Sequence, residues 1–492
     1  MTSTTVTQMH ATMHAPTRPA LARRAARLAA SAMLLTSSGC STLGSVHDMF
    51  LGGPPGGAEA QRLSGFIGAA VADEPRAALA GREVLAAGGN AADAAVAMGF
   101  MLGVTLPSRA GLGGGGACLA FNPSRTGPGG GSPEAIVFTP VAARTPGAAA
   151  DRPASIPMVP RGLYALHIRY GKLPFDTLLQ PAEQAARFGI PTPRALVQDL
   201  AVVAGPLMQD PNARAIFGPG GRPLQEGSTL QQPELAATIA SMRTEGVGTL
   251  YVGTLARRLV DGAALAGGGL TAQAVRDALP RSVPPVVVPS GRDQVAFLPP
   301  PADGGLAAAA AFQTLQTGGG VPTAGARAMA IAARWRSGGG DPAAVLASGG
   351  SGGSLPTLPA SAGWLALDRD GNAVACTVTM DNLFGTGRIA PGTGLLLAAA
   401  PNPAPLLSAA IAWNTNLHGF RAAAVGTGQE GAPLATAVAM TNALASTSAM
   451  PAPVPAPGRA DAIACSRYLP DANEGCTWAV DPRTPGLAAG GN

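Results

Sequence analysis

The sequence predicts an α+β fold, and three observations carry that prediction. Apolar residues between positions 74 and 104 recur at helical spacing. Strand-like runs at 364–367 and 373–379 flank the turn Asp368-Arg369-Asp370-Gly371-Asn372, and a third such run covers 117–121. Residues 163–188 read as helix, turn and helix. At 492 residues, 47% hydrophobic and 12% charged, the chain is long enough to bury a large core in one domain or two interleaved ones.

Taken in order, the first helical stretch runs through Ala78-Leu79, Val84-Leu85 and residues 91–102, interrupted by Gly88-Gly89. Two helices around a glycine turn follow from this, the second capped by Asn90 or a neighbour. Gly111, Gly113 and Gly116 fit the spacing GxGxxG. A helix precedes that run and a strand follows it, the reverse of the dinucleotide-binding order, which argues against a phosphate loop. His167 falls on a helix surface in the 163–188 segment. Residues 318–359 are loop-rich, and Gly349-Gly350-Ser351-Gly352-Gly353 within them matches a nucleophile elbow. An elbow needs a strand before the serine and a helix after it, whereas helix-like residues 343–347 precede this one and Leu355-Pro356 follow, so the run reads as an exposed loop. Ser, Pro and Ala dominate residues 446–458, a linker composition.

The net charge of +5 draws on Arg18, Arg23, Arg24 and Arg27 near the N-terminus, and no basic stripe with interleaved aromatics exists, so a nucleic-acid partner is not expected. Those arginines precede an apolar run at 28–35 that is too short to span a bilayer, the pattern of a secretory signal. Cys40 follows Ser37-Ser38-Gly39 and resembles a lipobox cysteine, although Leu is commoner where Ser37 stands. Lipidation of Cys40 would hold the domain at a membrane in the periplasm or cell envelope through the segment 41–65; the alternative is ordinary signal cleavage. An exported chain permits a Cys465–Cys476 bridge, while Cys118 and Cys376, in apolar strand-like runs, read as buried thiols. No cysteine or histidine spacing suits zinc, and neither a metal nor a cofactor is expected.

Several blocks share one order: 88–97, the glycine run 111–116, Val159-Pro160-Arg161-Gly162-Leu163, Gln232-Pro233-Glu234-Leu235, the stretch 366–374, Leu383-Phe384-Gly385-Thr386-Gly387 and Ala390-Pro391-Gly392-Thr393-Gly394. Over roughly residues 69–444 this order resembles the γ-glutamyltranspeptidase family of N-terminal-nucleophile hydrolases. The resemblance implies a four-layer αββα sandwich with a large-subunit-like region (66–360) and a small-subunit-like region (361–445); the residue pattern and composition add a signal peptide (1–40), a flexible tether (41–65) and a linker with tail (446–492). In that family the small subunit begins with Thr-Thr-His and an aromatic residue directly ahead of a strand. Here that register reads Ser361-Ala362-Gly363-Trp364.

An N-terminal nucleophile uses one residue twice. Its hydroxyl attacks the preceding peptide bond, and the freed α-amino group, with an unperturbed pKa close to 8, then serves as base for that hydroxyl. Serine carries the same hydroxyl as threonine, so the resemblance places cleavage between Ala360 and Ser361. It also carries over Thr379 as the residue orienting the nucleophile and Asp381 at the position of an Asn that contacts the substrate amine. Gly431 and Ala432, allowing a small shift, become the oxyanion-hole pair; without a gap the pair is Gln429 and Glu430. Ser408 remains from a substrate-binding serine pair.

Other family features are missing. The arginine that clamps the substrate carboxylate should stand near Thr139, and Arg144 lies a few residues on as a substitute. The Asp that binds the substrate amine should stand near Asn402, and the second Thr and the His of the nucleophile motif are Ala362 and Gly363. Two functions follow. One is an exported γ-glutamyltransferase or glutathione-hydrolase-like enzyme that self-cleaves before Ser361 and acts on a small γ-glutamyl or other acyl donor. The other is a catalytically silent, membrane-tethered binding or structural lipoprotein.

Overall fold

The computed structural model describes residues 66–125, 131–143, 150–349, 353, 355–356, 360–449, 454–470 and 475–491. The signal region, Cys40, the tether, Arg144 and Ser351 therefore lie outside the described residues.

Two antiparallel sheets form the centre. The strands are β1 (Gly68–Ala72), β2 (Gly115–Phe121), β3 (Glu134–Phe138), β4 (Arg281–Val283), β5 (Val286–Ser290), β6 (Asp293–Phe297), β7 (Ser361–Asp368), β8 (Ala373–Thr379), β9 (Ser408–Asn414), β10 (Gly419–Thr427), β11 (Arg459–Leu469), β12 (Cys476–Ala479) and β13 (Leu487–Gly491). One sheet runs β13-β1-β7-β8-β2-β3-β4 and the other β12-β11-β10-β9-β6-β5. Against the first pack helices that include α1 (Pro75–Ala86), α2 (Ala91–Thr105), α3 (Pro107–Ala110), α4 (Val159–Tyr170), α5 (Phe175–Phe188) and α6 (Arg194–Leu207). Against the second pack α7 (Gly304–Gln316), α8 (Val321–Gly338) and α9 (Ala432–Ser446).

Strand alternation explains the layering. Along β7, Ala362, Trp364 and Ala366 enter the core beneath the first helical layer, while Leu365 and Leu367 enter the core between the sheets. Ser361 and Gly363 share the parity of Leu365 and so face the space between the sheets. The β7–β8 turn is held by Asp368, which accepts the amides of Asp370 (2.9 Å) and Asn372 (3.0 Å) and, across the layer, the amide of Ala91 at the start of α2 (3.0 Å). Gly371 takes φ +79° there, a conformation glycine adopts without strain. Asn90 and Asp93 form a reciprocal capping box on α2. His167, expected on a helix surface, instead closes the α4–α5 turn, its Nε2 lying 2.8 Å from the Leu173 carbonyl.

Two readings are corrected here. Cys118 and Cys376 are not free thiols: β2 and β8 are neighbours, their register sets the two residues opposite each other, and they form a disulfide. Residues beyond 446 are more than linker and tail, because they supply β11 and β12 to one sheet and β13 to the other, where Leu487 pairs with Ala72. Cys465 and Cys476 are bonded across β11 and β12.

Candidate active site

Ser361 opens β7 opposite Thr379 at the end of β8 and is buried. Thr379 sits between two backbone groups: its Oγ1 donates to the carbonyl of Ala360 at 2.8 Å and accepts the amide of Asp381 at 2.9 Å. The hydroxyl therefore polarises the carbonyl of the Ala360–Ser361 bond, and a fixed amide holds it in place. Ser361 Oγ forms no hydrogen bond with another described residue.

The opposing sheet closes the site. A Cβ added at Gly363 would lie 2.6 Å from Val425 Cγ2, so β10 crosses β7 here with no room for a side chain. Two residues further along β10, Thr427 ends the strand and the turn into α9 follows. In that turn Gly428 (φ +96°) and Gln429 (φ +57°) are left-handed. Gly431 and Ala432, expected as oxyanion donors, have φ −76° and −58°, and their amides already donate to the carbonyls of Gly428 (2.9 Å) and Gln429. An oxyanion would have to displace both turn bonds to use them. Ser408 is not brought to Ser361. It shares the parity of Ala410 and Ala412, which pack on the helices, and its hydroxyl donates to Thr436 on α9 at 2.7 Å.

Asp381 lies beside Thr379 with φ +60°. Burial pushes its carboxyl up to about 7, opposed by a 3.4 Å contact from Ser155 Oγ, and its Oδ1 has no hydrogen-bond partner. Because the folded value exceeds the unfolded one, the folded chain binds the proton more tightly between about pH 4 and pH 7. Stability from this group is complete below about pH 4 and is lost as pH rises through 7. Asp381→Asn is therefore expected to leave stability unchanged at pH 4 and to raise it over the parent at pH 8 by on the order of a few kcal/mol, seen as a higher Tm. Thermal melts at the two pH values check this, and an equal difference at both would count against it.

A group missed in the sequence lies two residues along β7. Asp73 continues β1 into the inter-sheet space and accepts the Gly363 amide at 2.8 Å. Asp461 on β11 faces the same space, accepts the Asp481 amide at 3.0 Å, and leaves Oδ2 without a partner. Burial, then the charge of Asp73, pushes Asp461 well above the usual carboxylate range; burial raises Asp73 too, against the Gly363 amide and the charges of Arg109 and Arg459. Of the two, Asp461 is the one pushed up further. Arg109 is held by Asp199, its Nε at 2.8 Å. No group of three or more His, Cys, Asp or Glu able to hold a metal occurs among the described residues.

Two facing sheets between helical layers, with a hydroxyl residue opening a central strand, define an N-terminal-nucleophile hydrolase fold. A cephalosporin acylase from Bacillus halodurans superposes with a TM-score of 0.68 over 89% of this chain and 98% of its own, at 19% identity, a likeness of fold. Residues 77–319 match the family profile described as gamma-glutamyltranspeptidase. The chain is 28% identical over 380 residues to glutathione hydrolase 3 of Arabidopsis thaliana, covering 67% of this chain and 59% of that protein. It is 34% identical over 232 residues to the acylase ACY 1 proenzyme of Pseudomonas sp. (strain SE83), covering 44% and 41%. The chain thus spans less than two thirds of either relative. Its likeness is to the γ-glutamyltranspeptidase family, over just under half of the chain by the profile and over 67% of it by the Arabidopsis relative.

Proposed function

We propose that the chain is an exported acyl hydrolase or acyltransferase that cuts itself between Ala360 and Ser361 and then acts on a γ-glutamyl or related acyl group. The observation that carries this reading is the 2.8 Å hydrogen bond from Thr379 Oγ1 to the Ala360 carbonyl. In the first step Ser361 Oγ attacks that carbonyl carbon, negative charge develops on the oxygen facing Thr379, and the C–N bond breaks as the hydroxyl proton passes to the departing nitrogen, leaving an ester on Ser361. Water then hydrolyses the ester, giving a carboxylate on Ala360 and a free α-amine on Ser361. That amine takes the proton of Oγ when the hydroxyl attacks an acyl donor, and returns it to the leaving amine. A second acceptor, water or an amine, releases the acyl group.

Kinship with a glutathione hydrolase and with an acylase described as a proenzyme supports both the acyl chemistry and the self-cleavage. Two disulfides suit an oxidising compartment and so favour export. No helix among the described residues is long and apolar enough to cross a membrane, so attachment in this reading rests on a lipid at Cys40. Mature protein run on reducing, denaturing gels should show two bands, and N-terminal sequencing of the smaller should begin at Ser361. A single intact band from protein without acyl turnover would favour the silent binding lipoprotein instead.

A further inference from the structure

The outer edge of the first sheet holds a charge cluster that takes no part at Ser361. β4 pairs only with β3 there, and beside the two strands opens a cleft of about 450 Å³ whose lining includes Arg125, Arg169, Arg281 and Ile168. A neighbouring recess shares Arg125 and Arg169 and adds Glu134. Three guanidiniums therefore meet one carboxylate. The register sets Glu134 at the far end of β3 from Thr379 and three strands across from Ser361, roughly 20 Å from the nucleophile.

Glu134 is fully engaged. Its Oε2 accepts Arg169 Nε (2.5 Å), the Tyr170 hydroxyl (2.5 Å) and Arg125 Nη1 (3.3 Å), while Oε1 accepts Arg169 Nη2 (2.6 Å) and the Ser282 hydroxyl. These donors fill the roughly four lone-pair sites of a carboxylate and leave nothing for a further cation. The same bonds, with Arg125 stacked 4.9 Å from the Tyr170 ring centre, hold two of the guanidiniums in place. Arg281 is different. It is exposed on β4, and among the described residues it makes neither a hydrogen bond nor an ion pair. Three positive charges against one negative leave the cluster with an excess of two.

We propose that this cleft binds a phosphate monoester, a dianion that matches the excess charge and offers three terminal oxygens to guanidinium N–H donors. Arg281 makes the principal contact, and the nitrogens of Arg125 and Arg169 that Glu134 does not engage complete the cradle. The remaining wall includes Ala165, Ile168 and Pro280, with Ile168 67% exposed, so the ester carries an apolar body. A monoanionic carboxylate would leave one positive charge uncompensated.

Calorimetric titration of the purified mature protein near pH 8 tests this. Phenyl phosphate carries the dianion on an apolar body, and benzoate carries the same body with a single charge. Phenyl phosphate is expected to bind the parent more tightly than benzoate does, and to lose about tenfold or more in affinity in Arg281→Gln. Arg281 has no partner to lose, so the two proteins should melt together and show equal splitting before Ser361. No phenyl phosphate binding by the parent, equal binding by both proteins, or benzoate binding as tight as the ester overturns the assignment. Co-sedimentation with vesicles of phosphatidylcholine and phosphatidic acid separates the two sources of such a group. Capture that Arg281→Gln reduces identifies a lipid head group; ester binding with no such difference identifies a free ester.

Discussion

Ser361→Ala is expected to yield a single unbroken chain whose acyl turnover is lower by ~10⁴-fold or more, because one hydroxyl serves both reactions. The loss should not be one of folding. Ser361 is buried at a strand start, its Oγ has no partner among the described residues, and alanine fits the same strand position. Removing such a hydroxyl shifts stability by roughly 1 kcal/mol or less. Parent and variant should therefore melt within a few degrees of each other while differing completely on a denaturing gel. Splitting at the same bond in the variant would exclude Ser361 as the nucleophile.

Thr379→Val should slow self-cleavage by about 10²–10³-fold, the usual cost of removing one oxyanion donor. Valine matches threonine in shape but cannot donate to the Ala360 carbonyl, and it leaves the buried Asp381 amide without its 2.9 Å acceptor. The orphaned amide should also cost about 1–3 kcal/mol of stability. Thr379→Ser restores the hydroxyl and should recover most of the rate. The half-time of precursor conversion after expression, followed by gel, measures both. If the valine variant processes as fast as the parent, the Thr379 contact is structural only.

Local chemistry made part of this fold readable. The hairpin joining β7 and β8 was legible because Asp368, Gly371 and Asn372 lie within five residues, and helix α2 because Asn90 and Asp93 cap it at a spacing of three. Ser361 and Thr379 could be placed because both sit in that hairpin, one at each open end. Distant pairings left no such trace. Asp73 meets Gly363 across 290 residues, and Cys118 meets Cys376 across 258, so only the sheet order reveals either partner. Ser408 shows a different limit: position along the chain brought it near the site, but strand parity turned it to the helices. The last strands were hidden because a linker-like composition before residue 459 masked the pairing that follows.

Cys118 lies before the Ala360–Ser361 bond and Cys376 after it. A chain opened at that bond consequently stays one covalent molecule for as long as its surroundings are oxidising. The two halves can come apart only after the buried cystine is reduced, so dissociation of the fragments is controlled by thiols and not by dilution.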